Sequence, residues 1–351
     1  MLKVGVIGYG YWGPNVARNF HAPGLAQSGQ SEVVAIADRR AECRERAQQA
    51  FPQARVSGDS GDILRSPEID VVAVVTPVWT HFELAQQALL QGKHVFVEKP
   101  FTATTSQAEE LIELAARKNL QIMVDHTFLF TGAVRKIREL VQGGVLGKLY
   151  YYDAMRVNLG LFQHDINVIW DLAPHDLSIM DYVIGKKPEA MVATGEKHLN
   201  GHVDIAFLTI YFPGNVVAHI NVNWLSPVKV RTTLIGGEKQ MLVWNDLEAD
   251  EKIKVYDKGV SVGAGEGEAG VYDLLVSYRS GDMWAPRVEQ AEALKVETAY
   301  FVECIHAGRA PFNDGLAGLR VVELLQAGEN SLKQRGKLIE LGQPAFSAHY
   351  S

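Results

Sequence analysis

Cysteine is nearly absent: the 351 residues carry two, Cys43 and Cys304, far apart in the chain. They can build neither a disulfide framework nor a cysteine metal cage, and a reducing compartment is the default setting for such a chain. Long apolar runs are missing too. A run such as Val71–Val75, which none exceeds, falls far short of the roughly 20 residues a membrane-spanning helix needs. Positive charge is in deficit: 34 lysines and arginines face 41 aspartates and glutamates, a formal net charge of −7. Nucleic-acid binding generally shows the opposite balance. The opening Met1-Leu2-Lys3 runs at once into a strand and a glycine turn, without a small-residue cleavage site. No signal peptide is expected, and the cytoplasm is the expected location.

What is present reads as two domains. Short valine- and isoleucine-rich runs at Val4–Ile7, Val33–Ala37, Val71–Val75, His94–Val97 and Gln121–Val124 alternate with helical stretches at Gly13–Phe20, Arg40–Ala50, Thr80–Gln91 and Ser106–Lys118. Runs apolar on both faces, each followed by a helix, are the mark of a buried parallel sheet. Ser106 with Glu109 has the spacing of a capping box. After Asp125 the pattern changes. Helices are expected over Gly132–Gln142 and Asp171–Ile184, with strands at Leu149–Asn158, Ala190–Thr194, Val203–Tyr211, Val216–Trp224, Lys229–Ile235 and Met241–Asn245. Pro213-Gly214-Asn215 predicts a hairpin between two of them. Gly259–Gly270 reads as a mobile glycine-rich loop, and helices are expected near Val288–His306 and Gly315–Arg335. The expected fold is therefore α/β. A doubly wound parallel Rossmann sheet covers residues 1–125, and an α+β domain with a large, mostly antiparallel open sheet covers residues 126–351.

Gly8-Tyr9-Gly10-Tyr11-Trp12-Gly13 is G-x-G-x-x-G, placed directly after a strand and opening a helix. Its glycines permit a tight turn, close approach to a pyrophosphate and helix–strand packing, and the helix start offers free N–H groups to phosphates. Asp38, at the end of the second strand, suits the ribose hydroxyls of NAD. Arg39 beside it could pair with a 2′-phosphate, which keeps NADP as the alternative cofactor.

Glu98-Lys99-Pro100 adds a further motif. Together with the glycine turn, Thr76-Pro77 before His81, Asp171-x-x-x-His175 and the stretch from Pro286 to Gly315, it resembles the GFO/IDH/MocA oxidoreductases across essentially the whole chain. The resemblance implies hydride transfer between a nicotinamide and a secondary alcohol of a sugar, polyol or nucleotide sugar. It implies Lys99 and His175 as the catalytic pair with Asp171 beside His175, and cofactor contacts from Thr76, Pro77, His81, Glu98 and Lys99. The chemistry makes independent sense, since alcohol oxidation needs a base and a positive group near the developing charge. Asp171 and His175, four apart on a helix, share a face. For the substrate, Lys99, His126, Arg156, Asn158, Asp171, His175, Lys229 and Arg231 are the candidates. Arg156, Lys229 and Arg231 would either greet an acidic group or form a salt-bridged sheet face. His164, Asp165, Asp171, His175 and Asp176 crowd one region, but without cysteine ligands or a third spaced histidine no metal is expected. A homodimer or homotetramer is expected from the half-polar sheet. The rival reading is a non-catalytic NAD-binding regulator of the same fold.

Overall fold

The computed structural model describes residues 1–21, 31–160, 165–199, 201–263 and 275–342. In chain order, the first strands and helices are β1 (Leu2–Ile7), α1 (Gly13–Phe20), β2 (Ser31–Ala37), α2 (Ala41–Ala50), β3 (Arg55–Ser57), α3 (Gly61–Leu64), β4 (Val71–Val74), α4 (His81–Leu90), β5 (His94–Glu98), α5 (Thr105–Lys118) and β6 (Ile122–Asp125). The strands form one six-stranded sheet in the order β3-β2-β1-β4-β5-β6. Every pairing in it is parallel. The chain winds outward from β1, then returns to β4. The β1/β4 border is thus a topological switch point, where open α/β sheets bind ligands beyond the strand ends. The valines of β4 are buried on both faces, as helices on either side require.

One local expectation needs correction. The start of α5 is capped by Thr104, whose side chain accepts from Gln107 N–H at 3.3 Å. Gln107 reaches back to Ala103 N–H at 3.2 Å. The cap thus lies two residues before Ser106, because Thr104 has the extended backbone a cap needs. The short β3 and α3 were not legible, being too brief for periodicity to show.

The rest of the chain supplies α6 (Gly132–Gln142), β7 (Leu149–Leu159), α7 (Val168–Ile184), β8 (Ala190–Glu196), β9 (Ile205–Phe212), β10 (Val216–Asn223), β11 (Leu225–Gly237), β12 (Met241–Asn245), β13 (Ile253–Tyr256), β14 (Gly259–Gly263), β15 (Leu275–Arg279), β16 (Met283–Trp284), α8 (Ala293–Ala307), α9 (Gly315–Lys333) and β17 (Ile339–Glu340). A nine-stranded sheet runs β16-β13-β12-β11-β7-β10-β9-β8-β17. Only β7 and β10 pair in parallel. The expected hairpin joins β9 to β10, with Val216 opposite Phe212. On β10, Ala218, Ile220 and Val222 are buried while His219, Asn221 and Asn223 are half-exposed, the alternation of a sheet covered on one face. Helix α7 packs on β7 and β10. The expected glycine-rich loop is partly a strand: β14 pairs with β15 from Gly259 to Gly263, and residues 264–270 lie outside the described residues.

Contacts divide the chain into two compact units, Met1–Thr131 with Ala291–Gln326, and Gly132–Gln290 with Ala327–Ser351. This differs from a single break after Asp125. Helix α8 and most of α9 belong with the Rossmann strands, because Phe301 of α8 packs on Phe96 of β5 at 6.1 Å and Gly318 of α9 lies against Phe101 and Val124. A local pattern cannot reveal which sheet a distant helix covers.

Candidate functional site

The first cluster forms where the glycine turn leaves β1. Gly8 has φ +99°, and a Cβ there would stand 2.1 Å from the Val75 carbonyl oxygen. No side chain fits. A Cβ on Gly13 would meet the Gly8 carbonyl oxygen at 2.2 Å, so α1 sits down on its own turn. At Gly10 the space is different: a Cβ would meet only the mobile end of Arg40, at 2.8 Å. No side chain caps the start of α1, and its first turn holds no acid. Pro14 has no N–H, and Asn15 and Val16 donate to the Trp12 carbonyl at 2.9 and 3.3 Å; the positive dipole end of α1 and a turn stripped of side chains are what suit a dinucleotide pyrophosphate.

Asp38 closes the adenosine end. Its carboxylate accepts the N–H of Tyr9 at 2.8 Å and of Arg40 at 2.9 Å, with Arg40 Nε at 3.4 Å. Burial alone would push its pKa up; these donors outweigh it and hold it below the usual value. The cation placed here is Arg40. Arg39 is exposed, and its carbonyl accepts from Arg44 at 2.7 Å. Among the turn's side chains, Tyr11 is exposed, whereas Tyr9 is buried edge-on to Phe51. Tyr9 therefore offers no ring to a cofactor, and its N–H is taken up by Asp38 and its carbonyl by Arg46.

Two further loops follow β4 and β5 at the same sheet edge. Thr76 and Pro77 are accessible, but His81 is fully buried. Its ring nitrogens face the carbonyl oxygens of Thr76 at 2.7 Å and Pro100 at 2.9 Å. His81 thus ties the two loops together and is not exposed for cofactor contact. Glu98 and Lys99 end β5, and Lys99-Pro100 is cis. His126, proposed from the sequence as a substrate contact, is buried at the end of β6. Burial, then the nearby Arg320 and Lys99, push its pKa down to about 3, which keeps it neutral.

The second cluster lies on α7 in the other unit. Asn167 caps the helix, accepting from Ile169 at 3.0 Å and Trp170 at 3.2 Å, which starts it three residues before Asp171. Asp171 and His175 are half-exposed, whereas Ala173, Pro174 and Asp176 between and beside them are buried. The fully buried Trp224 donates its indole N–H to Asp171 Oδ2 at 3.0 Å. Asp176 turns inward and takes both ends of the Arg156 guanidinium, at 2.7 and 3.0 Å. Arg156 and Arg231 are cross-strand neighbours, and Arg231 pairs with Asp246 at 3.3 Å. The two arginines are therefore a salt-bridged sheet face. Of the expected cationic trio only Lys229 is exposed, and Asn158 is half-buried. His164 lies outside the described residues. Among the described residues, no group of three or more His, Cys, Asp or Glu could hold a metal ion, and no helix is long and apolar enough to cross a membrane.

Arg40, Trp224 and Asp125 were not singled out from the sequence. Arg40 alone had a signal, its place two residues after Asp38.

Residues 2–126 match the oxidoreductase family with an NAD-binding Rossmann fold, and residues 134–243 match the GFO/IDH/MocA C-terminal domain. The chain is 30% identical over 330 residues to the UDP-N-acetylglucosamine 3-dehydrogenase of Acidithiobacillus ferrooxidans, covering 92% of this chain and 94% of that one. A solved structure of that enzyme superimposes with a TM-score of 0.77 at 26% identity, over 95% of this chain and 98% of that one. The scyllo-inositol 2-dehydrogenase (NAD(+)) of Bacillus subtilis is 22% identical over 347 residues, covering 95% of this chain and 93% of that one. The chain belongs to the GFO/IDH/MocA family of NAD-binding oxidoreductases.

Proposed function

We propose that this protein is an NAD-dependent dehydrogenase acting on a secondary alcohol of a sugar, polyol or nucleotide sugar, with Lys99 and His175 as its catalytic pair. The observation that carries this reading is α7: it keeps Asp171 and His175 on one half-exposed face, with Asp171 held by Trp224. Bound NAD supplies the hydride acceptor. Neutral His175 takes the proton of the substrate hydroxyl on its imidazole. The Lys99 ammonium stabilises the charge developing on that oxygen. Asp171, four residues before His175, favours the imidazolium that results. The relative that oxidises UDP-N-acetylglucosamine supports a nucleotide sugar as substrate. A diphosphate would be met by groups other than Arg156, whose guanidinium is taken up by Asp176.

Turnover with UDP-N-acetylglucosamine and scyllo-inositol, followed as NADH formation, tests the pair. Lys99→Met and His175→Ala should each lose at least about a hundredfold in kcat and still bind NADH. Near-normal turnover in both variants would remove them from the mechanism.

The sheet face turned away from α7 supports a homodimer or homotetramer. Met155 and Phe207, both 40% exposed, flank Asn221 in one cross-strand row, and Tyr151 and Tyr211 flank Val217 in another. Apolar side chains clustered on an open sheet suit an interface. Light scattering should give two or four chains; a monomer at micromolar concentration would refute this.

A further inference from the structure

Beneath the cofactor edge lies a cluster that no step above uses. Asp125, at the end of β6, is 1% exposed and stands opposite Glu98 in the parallel register. The Trp12 indole, from the glycine turn, donates to its Oδ2 at 2.8 Å across 113 positions of sequence. The Thr127 hydroxyl donates to its Oδ1. The carboxyls of Glu98 and of Glu297, the latter from α8, lie close enough to the same carboxylate to interact with it. Glu98 is half-buried as a residue, with its carboxyl in the interior; Glu297 is wholly buried.

A contact between two carboxyls is a hydrogen bond only if one of them carries a proton. Glu297 shows where it sits. Its Oε1 accepts from Asn313 Nδ2 at 3.2 Å, and its Oε2 finds no donor among the described residues. A proton on Oε2 turns that buried orphan into a donor toward Asp125. Burial, followed by the charge of Asp125, pushes both Glu98 and Glu297 well above the usual carboxyl range. The arrangement is thus one acceptor holding donors from the glycine turn and the Thr127 loop, with protonated Glu297 of α8 as a third and Glu98 beside it.

We propose that Asp125 is a positioning residue for the dinucleotide, holding Trp12, and with it the Gly8–Gly13 turn, against the strand end that carries Glu98 and Lys99. The proposal rests on the reading of that turn as the pyrophosphate cradle. Trp12 directly precedes Gly13, and its carbonyl accepts from Asn15 and Val16, so the hydrogen bond to Asp125 fixes the residue from which α1 starts.

A double-mutant cycle in the full-length protein tests it, with NADH fluorescence titration as the readout and thermal melting as the folding control. Trp12→Phe and Asp125→Ala should each weaken NADH binding about tenfold or more, and the double variant should bind no worse than the poorer single. Glu297→Gln, whose amide imitates the protonated acid, should stay within about threefold of wild type. A merely structural role would lower melting temperatures without this pattern in Kd. If Asp125→Ala does not fold, Asp125→Asn serves in the same cycle. Losses that multiply, or both singles binding as wild type does, would overturn the proposal. So would a tenfold loss in Glu297→Gln. Gly10→Val runs alongside: if it still binds NADH, the cradle reading has failed; if it does not, while the cycle shows no coupling, only the role of Asp125 has.

Discussion

At the scale of single residues, Asp38 and Arg40 divide the choice of cofactor. The carboxylate already takes two backbone N–H groups and a guanidinium edge, and ribose hydroxyls would be further donors. A hydrogen bond to a charged group is worth about 1.5–3 kcal/mol. Asp38→Ser should therefore weaken NADH and narrow its preference over NADPH by about tenfold or more. Arg40→Ala should weaken NADPH more than NADH, because a 2′-phosphate would lose the cation that lies over Gly10. Fluorescence titration of both cofactors decides the matter. NADPH affinity unchanged in Arg40→Ala would shift that role to another arginine.

At the scale of elements, α7 and β7 are joined by the Arg156–Asp176 pair, whose side chains are each 4% exposed. Breaking such a pair strands a buried charge, at about 3–5 kcal/mol. Arg156→Met should lower the melting temperature of the protein markedly. The double change Arg156→Met with Asp176→Leu should recover most of that loss, since an apolar pair of similar volume leaves no charge unmet. If the single variant melts with wild type, the ion pair does not hold α7 to its sheet. The helix also shows where sequence reading stops. That Asp171 and His175 share a face follows from their spacing of four, and the structure keeps it. That Asp176 faces inward to Arg156 was decided only by the fold; read along the strand, the arginine could either meet an anion or join a salt-bridged face.

At the scale of the whole molecule, the buried carboxyls of Glu98 and Glu297 give stability a pH dependence. Both are raised in the folded state. Their contribution is fully present below the ordinary carboxyl value near 4.5 and is lost as pH rises through the raised values. Asp38, held low, works in the opposite sense, losing its contribution as pH falls through its depressed value. As pH rises from about 4.5, melting temperatures should fall less steeply in Glu297→Gln than in wild type. Parallel curves would show that Glu297 carries no proton to lose.

The sequence by itself determined the alternation of strands and helices in the Rossmann half, the glycine turn, the switch to antiparallel strands after residue 125 and the Asp171–His175 face. These rest on interactions within a few residues: the two-residue period of a strand, the turn of a helix, the absence of a side chain at Gly8. Tertiary structure alone decided that Trp12 meets Asp125, that Trp224 holds Asp171, that Arg156 is consumed by Asp176 and that α8 lies on the Rossmann sheet. Each of those pairs is separated by 20 to 205 positions. No local propensity encodes such a contact; it exists only once the chain has buried both partners in one interior, where an unmet charge or donor costs more than the ordering needed to meet it.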